Sequence, residues 1–189
     1  VLGIFWDITE RRKMEEEIRH RLGILIYGVD RETLHGNIVK ELERLNLTSS
    51  VVEALTGGII SQKLISTGSS SFVQGVVLPS IPSQRKFLNL SMEEFDVLSK
   101  DPVTLTEALA RKIRDDFKTD LGLATSGKLL EEQGEGEFRM DTYYSLFYPA
   151  GVENQKYSLG GELPIVRERA SIIALDIMRK FLLKKRQST

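Results

Sequence analysis

Val52-Glu53-Ala54-Leu55-Thr56-Gly57-Gly58 is the stretch on which the reading of this chain turns. The residues before it, Leu47 to Val52, are apolar or hydroxyl-bearing with two β-branched valines, which predicts a short buried strand. After it, Ile60 and Leu64 stand at i and i+4 in Ile59-Ile60-Ser61-Gln62-Lys63-Leu64-Ile65, a helical spacing. Thr56 is placed to cap that helix through its hydroxyl. Gly57 and Gly58 allow a sharp turn and a close approach of backbone to ligand. A strand–glycine turn–helix corner directs N–H groups and a positive helix end at whatever binds there. Many such corners carry glycine for geometry alone, so the neighbouring residues decide.

Working outward, strands and helices alternate. Ile38, Leu42 and Leu45 share a helical face before the corner. Ser69-Ser70-Ser71 precedes Phe72 to Leu78, an apolar run with the pattern of a buried strand. Pro79 and Pro82 bracket an irregular turn. Ser91-Met92-Glu93-Glu94 and Thr104-Leu105-Thr106-Glu107 both have capping-box form. Leu105, Leu109, Ile113 and Phe117 then line one helix face. Leu121 to Thr125 predicts a buried strand ending at Ser126-Gly127, and 128–136 a mobile polar loop. Tyr143 to Tyr148 and Lys156 to Leu159 are strand candidates. Pro164 opens a last helix striped by Ala170, Ile173, Ala174, Ile177, Met178 and Phe181. Lys184-Lys185-Arg186 favours the negative end of that helix dipole. The alternation indicates an α/β sandwich.

At 189 residues the chain suits one compact domain with a short appendage. Its 41% apolar and 28% charged residues are ordinary for a soluble globular protein. A net charge of −1 gives no reason to expect nucleic acid as partner. Cysteine is absent, which excludes disulfides, thiol catalysis and thiolate metal sites. His20 and His35 lie among charged and polar residues and read as solvated, so no metal site and no cofactor is expected. No apolar run approaches the roughly 20 residues of a membrane span. The apolar start, Val1 to Trp6, meets charge at once and does not read as a signal peptide. A cytoplasmic protein is the expectation.

Two resemblances sharpen this reading. The first concerns Gly3-Ile4-Phe5-Trp6-Asp7-Ile8-Thr9-Glu10-Arg11, which is similar to the last strand of a PAS sensor domain and the D-I-T-E-R element that leaves it. In PAS proteins that element leads into a signalling helix. Met14, Ile18, Leu22 and Leu25 lie at helical spacing here, facing either a partner helix or the chain's own domain. Residues 1–20 are thus read as the C-terminal end of a PAS domain, and the chain as the back part of a longer protein.

The second resemblance covers roughly Arg21 to Leu183, within a domain read as residues 21–189. Leu22-Gly23, Ile26-Tyr27-Gly28, the V-E-A-L-T-G-G stretch, Gly75-Val76-Val77, Ala124-Thr125-Ser126-Gly127 and Arg167-Glu168-Arg169-Ala170 resemble the CinA C-terminal domain family. That resemblance implies a three-layer α/β sandwich, with a central, mostly parallel sheet flanked by helices. It also implies an amidohydrolase that deamidates nicotinamide mononucleotide, and, as for PAS modules, a homo-oligomer.

The family pattern reads roughly A-E-S-C-T-G-G, and its nucleophilic serine falls at Ala54. A methyl group cannot attack a carbonyl. The family's relay tyrosine and basic lysine fall at Pro79 and Gln84, counted from Gly75-Val76-Val77. Proline has no proton to move, and glutamine is no base. Arg85 and Lys86, just beyond, offer a cation under a one-residue slip but no nucleophile. Ser50, Ser61 and Ser69 to Ser71 read as turn or cap residues rather than substitutes. No catalytic residue is therefore expected.

The binding elements persist better. Glu53, Thr56, Gly57, Gly58, Ser126 (threonine in the family), Gly127 and Arg167 are the candidate ligand contacts, for a small anionic or nucleotide-like ligand. An arginine common before the family's last helix falls at Leu163. Two readings stand: a working ligand pocket, or a corner kept for folding. The function expected is a non-catalytic ligand- or partner-binding module of a PAS-containing regulatory protein. The alternative is an active amidohydrolase.

Overall fold

The structure is a computed structural model that describes residues 33–132 and 137–187. The PAS-like element, the domain boundary expected at residue 20 and His20 lie outside the described residues. So does the part of the expected loop at 133–136.

Five strands and six helices alternate along the described chain. In order they are α1 (Leu34–Arg44), β1 (Ser49–Glu53), α2 (Ile59–Ile65), β2 (Phe72–Val77), α3 (Ile81–Leu88), α4 (Met92–Leu98), α5 (Pro102–Phe117), β3 (Leu121–Glu132), β4 (Glu137–Tyr148), β5 (Gly151–Glu162) and α6 (Leu163–Gln187). The sheet order is β2-β1-β3-β4-β5. β1 pairs in parallel with β2 and β3, while β3–β4 and β4–β5 are antiparallel. Only β4 therefore runs against the rest, so the sheet is mixed in pairing and mostly parallel in strand direction.

All five residues of β1 are buried, as a strand covered on both faces requires. Val51 faces the core shared with α1, α2 and α6, where Ile38, Leu42, Ile60, Leu64, Ala174 and Met178 pack. Val52 faces the other core, with Phe95, Leu105, Leu109 and Ile113 from α4 and α5. Successive side chains of a strand point to opposite faces, so one strand feeds both cores. The result is the expected three-layer sandwich. Helix α5 lies so close to β3 that a methyl group on Gly122 would overlap the Ala110 carbonyl.

Local signals held where capping is local. Ser91 accepts the Glu94 N–H at 3.2 Å and Glu94 accepts the Ser91 N–H at 2.8 Å, the reciprocal box expected at α4. Four expectations change. Helix α5 starts at Pro102, not at Thr104: Asp101 accepts the Val103 N–H at 3.1 Å, and Thr104 serves that cap by donating to the same carboxylate. The Pro79–Pro82 segment is not wholly irregular, because Ser80 caps α3 and Pro82 sits in its first turn. Strand β3 does not stop at Ser126-Gly127 but runs to Glu132, paired with β4 from Gly122 onward. Residues 128–132 are thus strand rather than loop. Phe117 is 39% exposed and closes α5 without entering the core.

Ser49 Oγ is the one buried side-chain polar atom of the described residues that lacks a hydrogen-bond partner. An unpaired buried hydroxyl costs about 1 kcal/mol or more. Ser49→Ala is expected to raise stability by about 1 kcal/mol, read as a higher urea midpoint at unchanged slope. A lower midpoint would show that the hydroxyl has a partner in solution.

Candidate functional site

In an open sheet of this kind, ligands bind outside the carboxyl ends of the strands where successive connections diverge. Here the chain leaves β1 through α2 on one face to reach β2, and returns through α3, α4 and α5 on the other face to reach β3. The point of divergence is the end of β1, where the glycine corner lies.

The corner is built around Glu53, whose side chain is wholly buried. Its Oε2 accepts the Thr56 hydroxyl at 2.6 Å and the Gly58 and Ile60 N–H groups at 3.0 Å each. Its Oε1 accepts the Ser61 N–H at 2.8 Å and the Ser61 hydroxyl at 2.5 Å. These are the donors that the start of α2 would otherwise leave unsatisfied. A carboxylate there also meets the positive helix end.

Two expectations are corrected by this. Thr56 does not cap α2; its hydroxyl donates to Glu53 and stands 3.2 Å from Thr125 Oγ1. Nor are the Gly58, Ile60 and Ser61 amides free for a ligand, because the chain's own carboxylate holds them. Gly57 and Gly58 adopt φ of 67° and 100°, which glycine takes without strain.

Arg167, on the first turns of α6, reaches the same corner. Its Nε donates to the Leu55 carbonyl at 3.2 Å, and its guanidinium lies within van der Waals range of where a Gly57 side chain would begin. Gly127 backs onto Leu55 and Met140, and a methyl there would press on both. Glu53, Thr56, Gly57, Gly58, Gly127 and Arg167 are thus gathered on the side of α2 and α6.

Ser126 is not gathered with them. It lies on the opposite face, buried against α5, 2.6 Å from Thr106 Oγ1. Thr106 donates its proton to the Pro102 carbonyl at 2.6 Å, so Ser126 donates to Thr106 and keeps lone pairs to accept with.

Ala54 shares the Ser126 face. Its N–H donates to the Thr125 carbonyl at 3.0 Å, and its methyl packs against the apolar cluster around Val52, Leu78 and Leu105. Pro79 is exposed beyond β2, and the Gln84 amide donates to the Leu78 carbonyl at 3.4 Å. Arg85 donates to the Leu90 carbonyl at 3.4 Å.

The other serines keep structural company. Ser50 meets Thr119 at 2.8 Å, Ser61 is bound to Glu53, and Ser69 bridges Glu43 and Ser71 at 2.6 and 2.8 Å. None of them touches a histidine or a lysine among the described residues. His35 lies in α1, its pKa lowered by partial burial and by Lys63.

A polar row was missed from sequence. Ser126 pairs across the sheet with Tyr143, and Tyr143 with Lys156. Cross-strand partners share a face. Lys156 Nζ bonds Asp141 Oδ2 at 2.6 Å, and the Ser158 hydroxyl donates to Asp141 Oδ1 at 2.5 Å. The hydrogen bonds from Lys156 and Ser158 hold the Asp141 carboxyl below its usual range, and Asp141 in turn raises Lys156. Lys156 is an ammonium here, not a base. Its spacing from Ser126, 30 residues on and two strands across, left no local signal. Among the described residues no three metal-binding side chains gather, and no helix is long and apolar enough to cross a membrane.

This architecture, an α/β sandwich with a glycine corner at the end of an inner strand, defines a class that comparison makes specific. The family model for the CinA C-terminal domain matches residues 31–182. The chain belongs to that family. A CinA-like protein of Kosmotoga olearia is 31% identical over 173 residues, covering 90% of this chain and 42% of the relative. A CinA-like protein of Dictyoglomus thermophilum is 32% identical over 178 residues, with the same shares covered. The chain thus spans less than half the length of these curated relatives.

Among solved structures, the fold is similar to a competence-damaged protein (CinA) superfamily protein of Klebsiella pneumoniae. The TM-score is 0.69 at 20% identity, covering 81% of this chain and 99% of that one. A competence or damage-inducible protein of Enterobacter asburiae gives a TM-score of 0.67 at 21% identity, covering 80% and 99%.

Proposed function

We propose that this chain is a non-catalytic CinA-like module, a pseudo-deamidase that binds a small anionic or nucleotide-like ligand or a protein partner within a PAS-containing regulatory protein. The observation that carries the reading is Ala54. The position resembling the family's nucleophile bears a methyl group packed into an apolar cluster. Pro79 and Gln84, which resemble its relay and base, supply neither a transferable proton nor a base.

The ligand surface is formed by Gly57, Gly58 and Gly127 with Arg167 as its cation; Thr56 is buried beneath it with its hydroxyl given to Glu53, and Ser126 lies on the other face against Thr106. Glu53 serves it by holding the turn, since its carboxylate is fully engaged. The PAS-like residues at 3–11 support the regulatory setting, and the family's tendency to self-associate supports a homo-oligomer. The net charge of −1 gives no reason to propose nucleic acid as a partner.

The test is ammonia release from nicotinamide mononucleotide by the purified chain, with equilibrium binding of the same compound measured in parallel. Release at background is expected. Turnover at rates ordinary for enzymes, roughly 1 per second or more, would replace this reading with an active amidohydrolase. Binding that persists in the wild type and weakens about tenfold in Arg167→Ala would place the anion at the corner.

A further inference from the structure

A trough on the α3–α4–α5 layer plays no part in the corner. Leu88, Leu90, Leu98 and Ala108 line a hollow of about 410 Å³ between these helices. A second hollow of about 520 Å³ adjoins it, sharing Leu90 and Leu98 and bounded by Glu93, Glu94 and Val97. Val97 is 68% exposed and Met92 54%, so α4 turns large apolar side chains to solvent beside an apolar depression. An exposed apolar patch with a polar rim is the usual mark of an interaction surface.

The rim is not electrically neutral towards a newcomer. On the α5 wall, Arg111 is bonded to Glu107 at 3.2 Å and lies 4.8 Å from the centre of the Phe147 ring. Lys112 is held by Asp116 and lies 5.9 Å from the centre of the Phe87 ring. Asp115 is paired with Arg114 at 2.9 Å. The cations of that wall are thus already matched. On the α4 lip, Glu93 and Glu94 meet no cation among the described residues. The Ser91 N–H and hydroxyl hold the Glu94 carboxyl below its usual range. An apolar floor remains, with an acidic lip at which Glu93 and Glu94 form no salt bridge among the described residues, although Glu94 also accepts the Ser91 N–H.

We propose that this trough receives an amphipathic α-helix of a partner protein, with its apolar stripe over Leu90 and Leu98 and a basic flank against Glu93 and Glu94. Two adjoining hollows that share Leu90 and Leu98 suit an elongated occupant better than a compact small molecule. A helix lying in an apolar groove is an established recognition mode, anchored at i, i+3, i+4 and i+7. The acidic lip selects the charge of the flank and fixes its direction. The proposal does not depend on what the glycine corner binds.

Calorimetric titration of the full chain with three synthetic peptides of about 18 residues, about five helical turns, tests it. The first carries leucines at helical spacing with lysines elsewhere. The second has the same composition in scrambled order. The third carries glutamates in place of the lysines.

The first is expected to bind saturably and about tenfold or more tighter than the others. Glu93→Lys should weaken it about fivefold. Val97→Glu should weaken it about tenfold, because it puts a charge on the apolar floor. That variant adds negative charge, so a merely electrostatic attraction of a cationic peptide would strengthen instead. Both side chains are exposed and the fold is kept, which circular dichroism verifies.

Absence of binding, equal binding of the glutamate peptide, or binding indifferent to both substitutions would each overturn the proposal. So would a change of oligomeric state in Val97→Glu without peptide binding, since the trough would then join copies of this chain.

Discussion

Replacing Glu53 by alanine is expected to remove about 4 kcal/mol of stability, a large part of the total available to a domain of this size. The variant would strand the N–H groups of Gly58, Ile60 and Ser61 and two buried hydroxyls at once. Each unsatisfied buried donor costs about 1–3 kcal/mol, and the hydroxyls recover part of theirs by rotating. The helix also loses the negative charge at its positive end. Glu53→Gln keeps the shape but places an NH₂ group among donors, so a loss of about 2 kcal/mol is expected. Urea unfolding of the wild type and both variants, with the slope checked for constancy, gives the ordering. A loss below about 1 kcal/mol for alanine would mean that water enters and caps α2 in place of the carboxylate. The glycine corner would then be soft enough to admit an anion there.

The role of Glu53 marks where sequence reading ran out. The strand, the glycines and the helix of the corner were all legible, because β-branched residues, φ-permissive residues and i, i+4 spacing act locally. The carboxylate was read as a ligand contact because its five donors lie three to eight residues downstream and converge only when the turn is closed. The box at Ser91–Glu94 was legible for the converse reason: both partners sit within one turn. The start of α5 was misplaced because Asp101 and Thr104 are both good caps, and Pro102 settles the choice between them. The lengths of β3, β4 and β5 were underestimated because their outer parts are polar. Those parts are held by cross-strand pairing, such as Lys128 with Asp141 and Phe138 with Gly161, rather than by the composition of the segment itself. The split of the candidate site across two faces follows from the same cause. Thr125 and Ser126 are adjacent in sequence, yet one meets Thr56 and the other Thr106.

Ala54→Ser is expected to leave ammonia release from nicotinamide mononucleotide at background. A hydroxyl at position 54 would stand beside Val52, Leu78 and Leu105 rather than beside a base. Ser126, on the same face, has its proton committed to Thr106. Lys156 lies two strands further across and is held as an ammonium by Asp141. An unactivated serine is a weak nucleophile, and members of a catalytic unit act together rather than additively. Restoring one of three therefore restores nothing. The hydroxyl in an apolar setting should instead lower stability by about 1 kcal/mol. Ala54→Ser combined with Pro79→Tyr and Gln84→Lys is the variant in which trace turnover is expected, provided that the lysine can lie near the new hydroxyl. It must first give up the contact with the Leu78 carbonyl that Gln84 makes at 3.4 Å. Single-turnover assays read the outcome. Activity in Ala54→Ser alone would mean that a base already faces position 54, and the chain would then be one substitution away from an enzyme.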